Sequence, residues 1–483
     1  MLIKKKEIIL LSLMLLVAVM AGCSGDEVLT QGDDDYQIPL EVIAGISSAQ
    51  YDANFEASGG SEYYWEVDGG IAYGSFNDVT LSKPEFTATN TALQEGQVRI
   101  RVTIDQEVKP WLIVDVVDNN NETEFYEGAF HVVVPTQDNN KEGYLAAGFS
   151  GGIGLSDPKV PYAVKTEETG LTVWDTKRNE LFGSMDGRFY GINDIVYPMG
   201  GDKYFLIGYR AENNSKYQAY SVKLNNKGEK EDEWSYGDPV KDVYLRDGIG
   251  IKEDSTRVNY IVAVGNSGTK SEADPYIIKI NVTNNDDIND SDVETFSPQI
   301  SQLNYDYYNL QSIIETINGY LVAGYVGTDS ENTEGIIIEL DKNFAVKNYS
   351  KYTDIKKLYK IAENGNGNFV VVGSNAYVAE VDSSLTAIQL NFNLNYTADF
   401  RDVLIDGDSY ILVGQDVENN GGIAVKITNG TLDESFNVRK GSYLYSIAKA
   451  TDGNYLLAGY SNNQKAYIVK INSSGDVVPR VAQ

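Results

Sequence analysis

Short runs of alternating or continuous apolar residues fill the chain, and Gly, Asn and Asp break them. In Gln97-Val98-Arg99-Ile100-Arg101-Val102-Thr103-Ile104, the apolar side chains share one face and the arginines the other. That is the pattern of a half-buried strand. From Tyr36 to about Asp118 such runs recur over about 80 residues, which predicts a small β-sandwich. Asn119 to Gly128 is polar and ends on Gly, so it is expected to be a linker.

Beyond 128 the pattern repeats. An aromatic residue, three small or branched apolar residues and a Gly recur, ending at Gly148, Gly208, Gly265 (with one extra residue), Gly324, Gly373, Gly414 and Gly459. A second run follows each copy, ending at Lys165, Lys223, Lys279, Glu339, Glu380, Lys426 and Lys470. A turn and an aromatic come next in several copies (Trp174, Trp234, Phe296, Tyr349, Phe436), and another strand-like run precedes each copy. Four strands per unit of about 40–60 residues match propeller blades. The expected fold is therefore all-β: a sandwich followed by a β-propeller over 129–483, read as seven blades with six or eight as the alternatives. Continuously apolar second strands suit blades packed on both faces, and the closing Gly suits a close approach or a bulge.

Three resemblances add to this reading. Tyr63-Tyr64-Trp65-Glu66-Val67-Asp68-Gly69-Gly70 resembles the tyrosine-x-tryptophan and Asp-Gly pattern of PKD and related immunoglobulin-like domains, which implies a PKD-like sandwich over 36–118 with Trp65 in its core. The propeller repeat, nearly intact at Asp452-Gly453-Asn454-Tyr455, is similar to the Asp-Gly-Tyr-Leu-Val-Ala-Gly repeats of secreted bacterial propellers. At the N-terminus, Lys4, Lys5 and Lys6 precede an apolar run from Ile8 to Gly22. The run is shorter than the roughly 20 residues of a spanning helix and has the flanks of a secretory signal. Its end, Met20-Ala21-Gly22-Cys23, resembles the lipobox of bacterial lipoproteins, with Met20 where that family usually has Leu. The resemblance implies that residues 1–22 are removed and that Cys23 is lipidated with two or three acyl chains, enough for stable attachment. Residues 23–35 are an acidic tether, similar to the export signal that sends Gram-negative lipoproteins to the outer face of the outer membrane. The expected location is thus the outer membrane, lipid-anchored and exposed at the cell surface.

Composition sharpens the functional expectation. Acidic residues number 70 against 39 basic, a net charge of −31, which repels phosphate backbones and excludes nucleic acid as a partner. One Cys and one His cannot build a Cys cluster or a multi-His metal centre. The single histidine, His131, lies in an apolar strand run away from any nucleophile elbow, and is expected to be a satisfied strand residue. Paired carboxylates for glycoside hydrolysis exist by number alone, so a chance pair carries no information. Ser184-Met185-Asp186-Gly187 is a near miss to a sialidase box, and ten arginines weigh against an arginine cluster for an acidic sugar. Trp174 and Trp234 recur at one repeat position and are expected to pack outer strands. Residues 284–294 offer oxygen ligands but lack the Gly of an EF-hand loop. No cofactor and no metal site are expected, with structural calcium the one alternative.

Candidate ligand contacts come from topology. In a four-stranded meander the second-to-third loops and the connections between blades share one face. Here these are long and irregular: 149–161, 209–219, 266–275, 325–335 and 284–308. Rigid scaffolds present binding loops in this way. Tyr305, Tyr307 and Tyr308 lie at that face, and Arg188, Tyr190, Lys356, Arg401 and Tyr443 lie at the starts of inner strands near the channel mouth. The expected function is non-enzymatic binding of an extracellular glycan or protein. The alternatives are a carboxylate- or Tyr-dependent polysaccharide hydrolase or lyase, and a structural subunit of an outer-membrane complex.

Overall fold

The structure is a computed structural model. It describes residues 31–480 apart from 34–35, 39–40, 49–54, 118–121, 139–140, 154–158, 177–187, 197–202, 213–215, 238–239, 253–257, 284–291, 299–304 and 391–396, and single positions 45, 59, 96 and 366. Cys23, the expected signal segment and most of the expected tether lie outside the described residues.

The N-terminal part is a β unit with its own core. Strand Gln97–Ile104 pairs antiparallel with Tyr63–Val67 and with Leu112–Val117, and the latter pairs parallel with Glu41–Ile43. Val98, Ile100, Val102 and Ile104 face inward, as their alternation requires. Trp65 is fully buried among Phe55, Phe76 and Phe86, and its indole N–H donates to the Leu81 carbonyl at 3.0 Å. The expected tether is not wholly separate from this unit, because Gln31–Asp33 pairs with Tyr36–Ile38.

The remaining strands form four-stranded antiparallel meanders. Their inner strands are the second half of Glu122–Asp138, then Arg188–Val196, Val243–Ile251, Tyr307–Thr316, Leu358–Glu363, Ala398–Asp406 and Tyr443–Lys449. Each inner strand neighbours the next, and Tyr443–Lys449 returns to Glu122–Asp138. Sheets radiating from a closed ring of inner strands make a β-propeller. The second strands are buried along their length, as in Gly319–Gly327 and Phe369–Gly373, because neighbouring sheets cover both faces.

One expectation is corrected. Residues 122–127 are not linker. Glu122, Thr123, Glu124 and Glu127 pair with the last long strand, Lys465–Ile471, as the outermost strand of the final sheet. The chain then continues as the innermost strand of the first sheet. Its polar composition is that of a solvent-facing outer strand, which pattern alone does not separate from a loop. The second and third strands also run past the repeat glycines. The connection expected over 266–275 is only residues 269–272, between Tyr260–Gly268 and Ala273–Asn281.

The repeat Gly has one job throughout. It pairs with Phe130, Ile192, Leu245, Leu310, Leu358, Phe400 or Leu444 on the inner strand, and a β-bulge follows each of these residues. A Cβ on the Gly would lie 1.7–2.2 Å from the carbonyl oxygen of the preceding inner-strand residue. No side chain fits there.

The N-terminal unit touches the first propeller sheet. Glu41 accepts the Thr172 N–H at 3.0 Å, beside a buried cluster of Ile43, Ile46 and Leu171.

Candidate functional site

The bulges build the site. A bulge places two residues against one and re-aims the extra side chain. Here the first bulge positions are His131, Asn193, Arg246, Gln311, Tyr359, Arg401 and Tyr445, and all of them line a cavity of about 340 Å³ at the centre of the ring. The second positions are Val132, Asp194, Asp247, Ser312, Lys360, Asp402 and Ser446, and all but Ser312 also line it. Inner strands start at the face of the inter-sheet connections, so the first row lies nearer that face.

The second row holds the ring together. Its acceptors take backbone N–H groups from the next sheet: Asp194 from Gly248 (2.9 Å), Asp247 from Ile313 (2.8 Å), Ser312 from Ile361 (3.4 Å), Asp402 from Ile447 (3.0 Å) and Ser446 from Val133 (3.3 Å). The two places where the row offers no acceptor are Val132 and Lys360. After Lys360, the waiting Val403 N–H is taken by Asp402 itself at 2.9 Å. Asp194 likewise serves Ile195 after Val132. These buried donors would otherwise be unsatisfied.

Lys360 Nζ crosses to Asp247 at 2.9 Å, with Asp247 almost fully buried and Lys360 partly exposed to the cavity. Burial opposes the lysine's charge, but Asp247, Asp402 and Asp194 outweigh it and hold its pKa above the ordinary value. Burial, and then the charge of Asp247, push Asp194 well above the usual carboxylate range. Burial also raises Asp402, against the pull of Lys360.

The first row is chemically different. It carries two arginines and no carboxylate. The Arg401 guanidinium lies 3.8 Å over the Tyr359 ring, and its Nε donates to the Tyr443 hydroxyl at 2.5 Å. Arg246 lies 5.1 Å over Tyr244 and 5.9 Å over Tyr209, and its Nε is buried with no hydrogen-bond partner. Among the described residues neither arginine meets a carboxylate at ion-pair distance. Burial pushes the Tyr359 hydroxyl up to about 12 and raises Tyr209 as well. The His131 Nδ1–H donates to the Ile192 carbonyl at 2.9 Å and lies 3.1 Å from the Asn193 side-chain oxygen. Burial lowers the His131 pKa to about 4, so the ring is neutral at pH 7.

The sequence-derived candidates fall in several places. Arg401 lines the cavity, and Tyr443 is its hydrogen-bond partner behind it. Tyr190 is buried edge-on to Tyr220 between sheets. Lys356 is exposed, and its carbonyl accepts the Thr333 hydroxyl at 2.7 Å. The side chain of Arg188 lies outside the described residues. Tyr305, Tyr307 and Tyr308 do not share one surface. Tyr305 donates to Glu334 and accepts from Lys351 on outer strands, whereas Tyr307 is buried beside Tyr325 and Tyr308 in the core between sheets. Trp174 and Trp234 are buried.

The sequence reading missed Arg246, Asp194, Asp247, Lys360 and Asp402. A signal was present: Asn193-Asp194, Arg246-Asp247 and Arg401-Asp402 each break an otherwise apolar inner strand at the same place.

No known protein family matches the chain, and no curated protein matches it by sequence. Among solved structures it is similar to Sqt1 from Chaetomium thermophilum, with 10% identity and a TM-score of 0.45, over 74% of this chain and 98% of that one. It is also similar to the C-terminal WD40 domain of Sif2, with 9% identity and a TM-score of 0.43, over 73% of this chain and 99% of that one. The WD40 β-propeller domain of Doa1 has 11% identity and a TM-score of 0.33, over 61% of this chain and 97% of that one.

Proposed function

We propose that the chain is a surface lipoprotein of a Gram-negative outer membrane, anchored through Cys23. It carries a PKD-like, immunoglobulin-type spacer over 36–118 and a seven-bladed propeller head closed by the strand Glu122–Asp138. The head is a non-enzymatic binding module for an extracellular glycan or protein.

The observation that carries the binding reading is the division of labour in the channel. Every carboxylate that lines the cavity accepts backbone N–H groups that hold neighbouring sheets together. A general acid or nucleophile must be free to exchange protons or attack. These aspartates are committed to architecture, as is Asn193, which donates to the Leu245 carbonyl of the next sheet, while the arginines and tyrosines of the first row face the space. That arrangement suits recognition better than turnover.

The test has two arms. Purified protein is screened against a panel of extracellular polysaccharides and of envelope and host-surface proteins. The reading predicts binding to at least one member with no change in substrate chain length. Turnover abolished by a single Asp or Glu substitution would replace it with the hydrolase or lyase reading. Fractionation of cells expressing Cys23→Ala is expected to move the protein from the membrane to the soluble fraction.

A further inference from the structure

The channel has a charge order that the whole chain does not. The chain carries −31, yet the first bulge row holds only Arg246 and Arg401 as charged groups, because His131 is neutral at pH 7. The carboxyl groups sit one row deeper, around Lys360, which pairs with Asp247. Asp399 is the carboxylate whose field reaches Arg401, and its side chain accepts the Asn375 N–H at 3.1 Å. A guanidinium partly withdrawn from water ordinarily meets a carboxylate, because its planar fork matches two carboxylate oxygens. Neither arginine has one here, and the Arg246 Nε is buried without an acceptor. Both arginines are partly exposed and line the cavity, so a carboxylate entering it can reach a guanidinium.

Both arginines are held in place. Arg401 is fixed by the Tyr443 hydroxyl and the Tyr359 face, and Arg246 by Tyr244 and Tyr209. Both line the same central cavity, from the third and sixth inner strands of the ring. Gln311 and Tyr359 lie between them on the ring, and Asn193 neighbours Arg246 on its other side. Asn193 already donates to the Leu245 carbonyl and Gln311 to the Asn309 side chain, so the free recognition groups are two arginines without a carboxylate beside aromatic rings that offer an apolar face, a combination that matches one ligand chemistry. The cavity of about 340 Å³ lies at the small end of the ~300–1,000 Å³ range of ligand pockets. It suits a terminal sugar rather than a long internal stretch. The surrounding negative field is screened beyond about 10 Å at moderate salt, so one buried negative charge is accepted while a dense polyanion is repelled.

The geometry points to an anion subsite at the propeller mouth, in which Arg246 and Arg401 hold the carboxylate of an acidic sugar of the uronate class. This rests on the binding-module reading and names the class of ligand.

Calorimetry on the purified protein tests it with four probes: D-glucuronate, its neutral amide D-glucuronamide, D-glucose and sulfate. Glucuronate is expected to bind at least about tenfold tighter than glucuronamide or glucose, since charge-assisted hydrogen bonds are lost in both. Arg246→Gln and Arg401→Gln are each expected to weaken glucuronate by about tenfold or more, and Arg246→Lys by less, because it keeps the charge without the fork. The comparison of glucuronate with its amide needs no variant, so it holds even if a substitution unfolds the chain. Equal affinity for the acid and the amide, no glucuronate binding at all, or unchanged affinity in a folded double Arg→Gln variant would each overturn the inference. Sulfate binding as tightly as glucuronate would overturn the sugar assignment. If these outcomes occur while the panel still yields a neutral glycan or a protein, only the acidic subsite fails. If the panel yields nothing, the binding-module reading fails with it.

Discussion

A methyl group on Gly265 would sit 1.7 Å from the Tyr244 carbonyl oxygen. Gly453 has open space around it but a φ of +86°, so its constraint is conformational instead. The two costs differ. Gly265→Ala must push backbone out of the bulge and is expected to destabilise by about 2–3 kcal/mol, whereas Gly453→Ala is expected to cost only about 1 kcal/mol of left-handed strain. Urea denaturation of the two variants checks the order, and equal midpoints would contradict the close-approach account. His131 supplies a second test at this scale, since it is the chain's only histidine. Its folded pKa of about 4 lies below its ordinary 6.5. The unfolded chain therefore binds a proton first as pH falls, and stability is lost between about 6.5 and 4 rather than gained. Allowing for its partial exposure, the loss is about 2 kcal/mol. Comparing denaturation midpoints at pH 7.5 and 4.5 should show a smaller fall in His131→Gln than in the parent. An identical fall would place the titration elsewhere.

The strand Glu122–Asp138 belongs to two sheets, the last and the first. Ring closure thus depends on its first half, where Arg480 also reaches the Thr123 hydroxyl at 2.5 Å. Prolines at Thr123 and Glu124 remove ladder donors and are expected to cost about 3 kcal/mol or more. The same pair at Ser350 and Lys351 lies in an outer strand whose sheet does not close the ring. The closure account predicts a larger drop in melting temperature for the first pair, and the reverse order would contradict it. Much of this architecture was legible beforehand, because the aromatic-apolar-Gly run is the packed second strand itself and the Gly marks the bulge. The linker was misread because an outer strand such as Glu122–Glu127 has only one side to bury and looks polar. The channel was harder to see. Asp194, Asp247 and Asp402 act through a ring of strands far apart in sequence, so a charged dipeptide in one inner strand means little until the others are placed beside it.

Taken as a molecule, the chain separates structural from exposed chemistry by depth. Inner-strand carboxylates tie adjacent sheets, a ring of bulges turns seven further side chains toward the centre, and the acidic exterior surrounds them. The N-terminal unit meets the first sheet through Glu41 and Leu171, away from the channel lining. A ligand at the mouth is thus reached from the connection face. The most direct test compares binding of the best ligand from the panel by Arg401→Gln, Arg246→Gln and Tyr305→Ala proteins, each checked for an unchanged melting temperature. The account predicts strong loss in the two channel variants and none in Tyr305→Ala, whose hydroxyl is engaged by Glu334 and Lys351 on outer strands. Loss in Tyr305→Ala with full binding in both arginine variants would contradict it and move the site from the channel to the outer edge of the propeller.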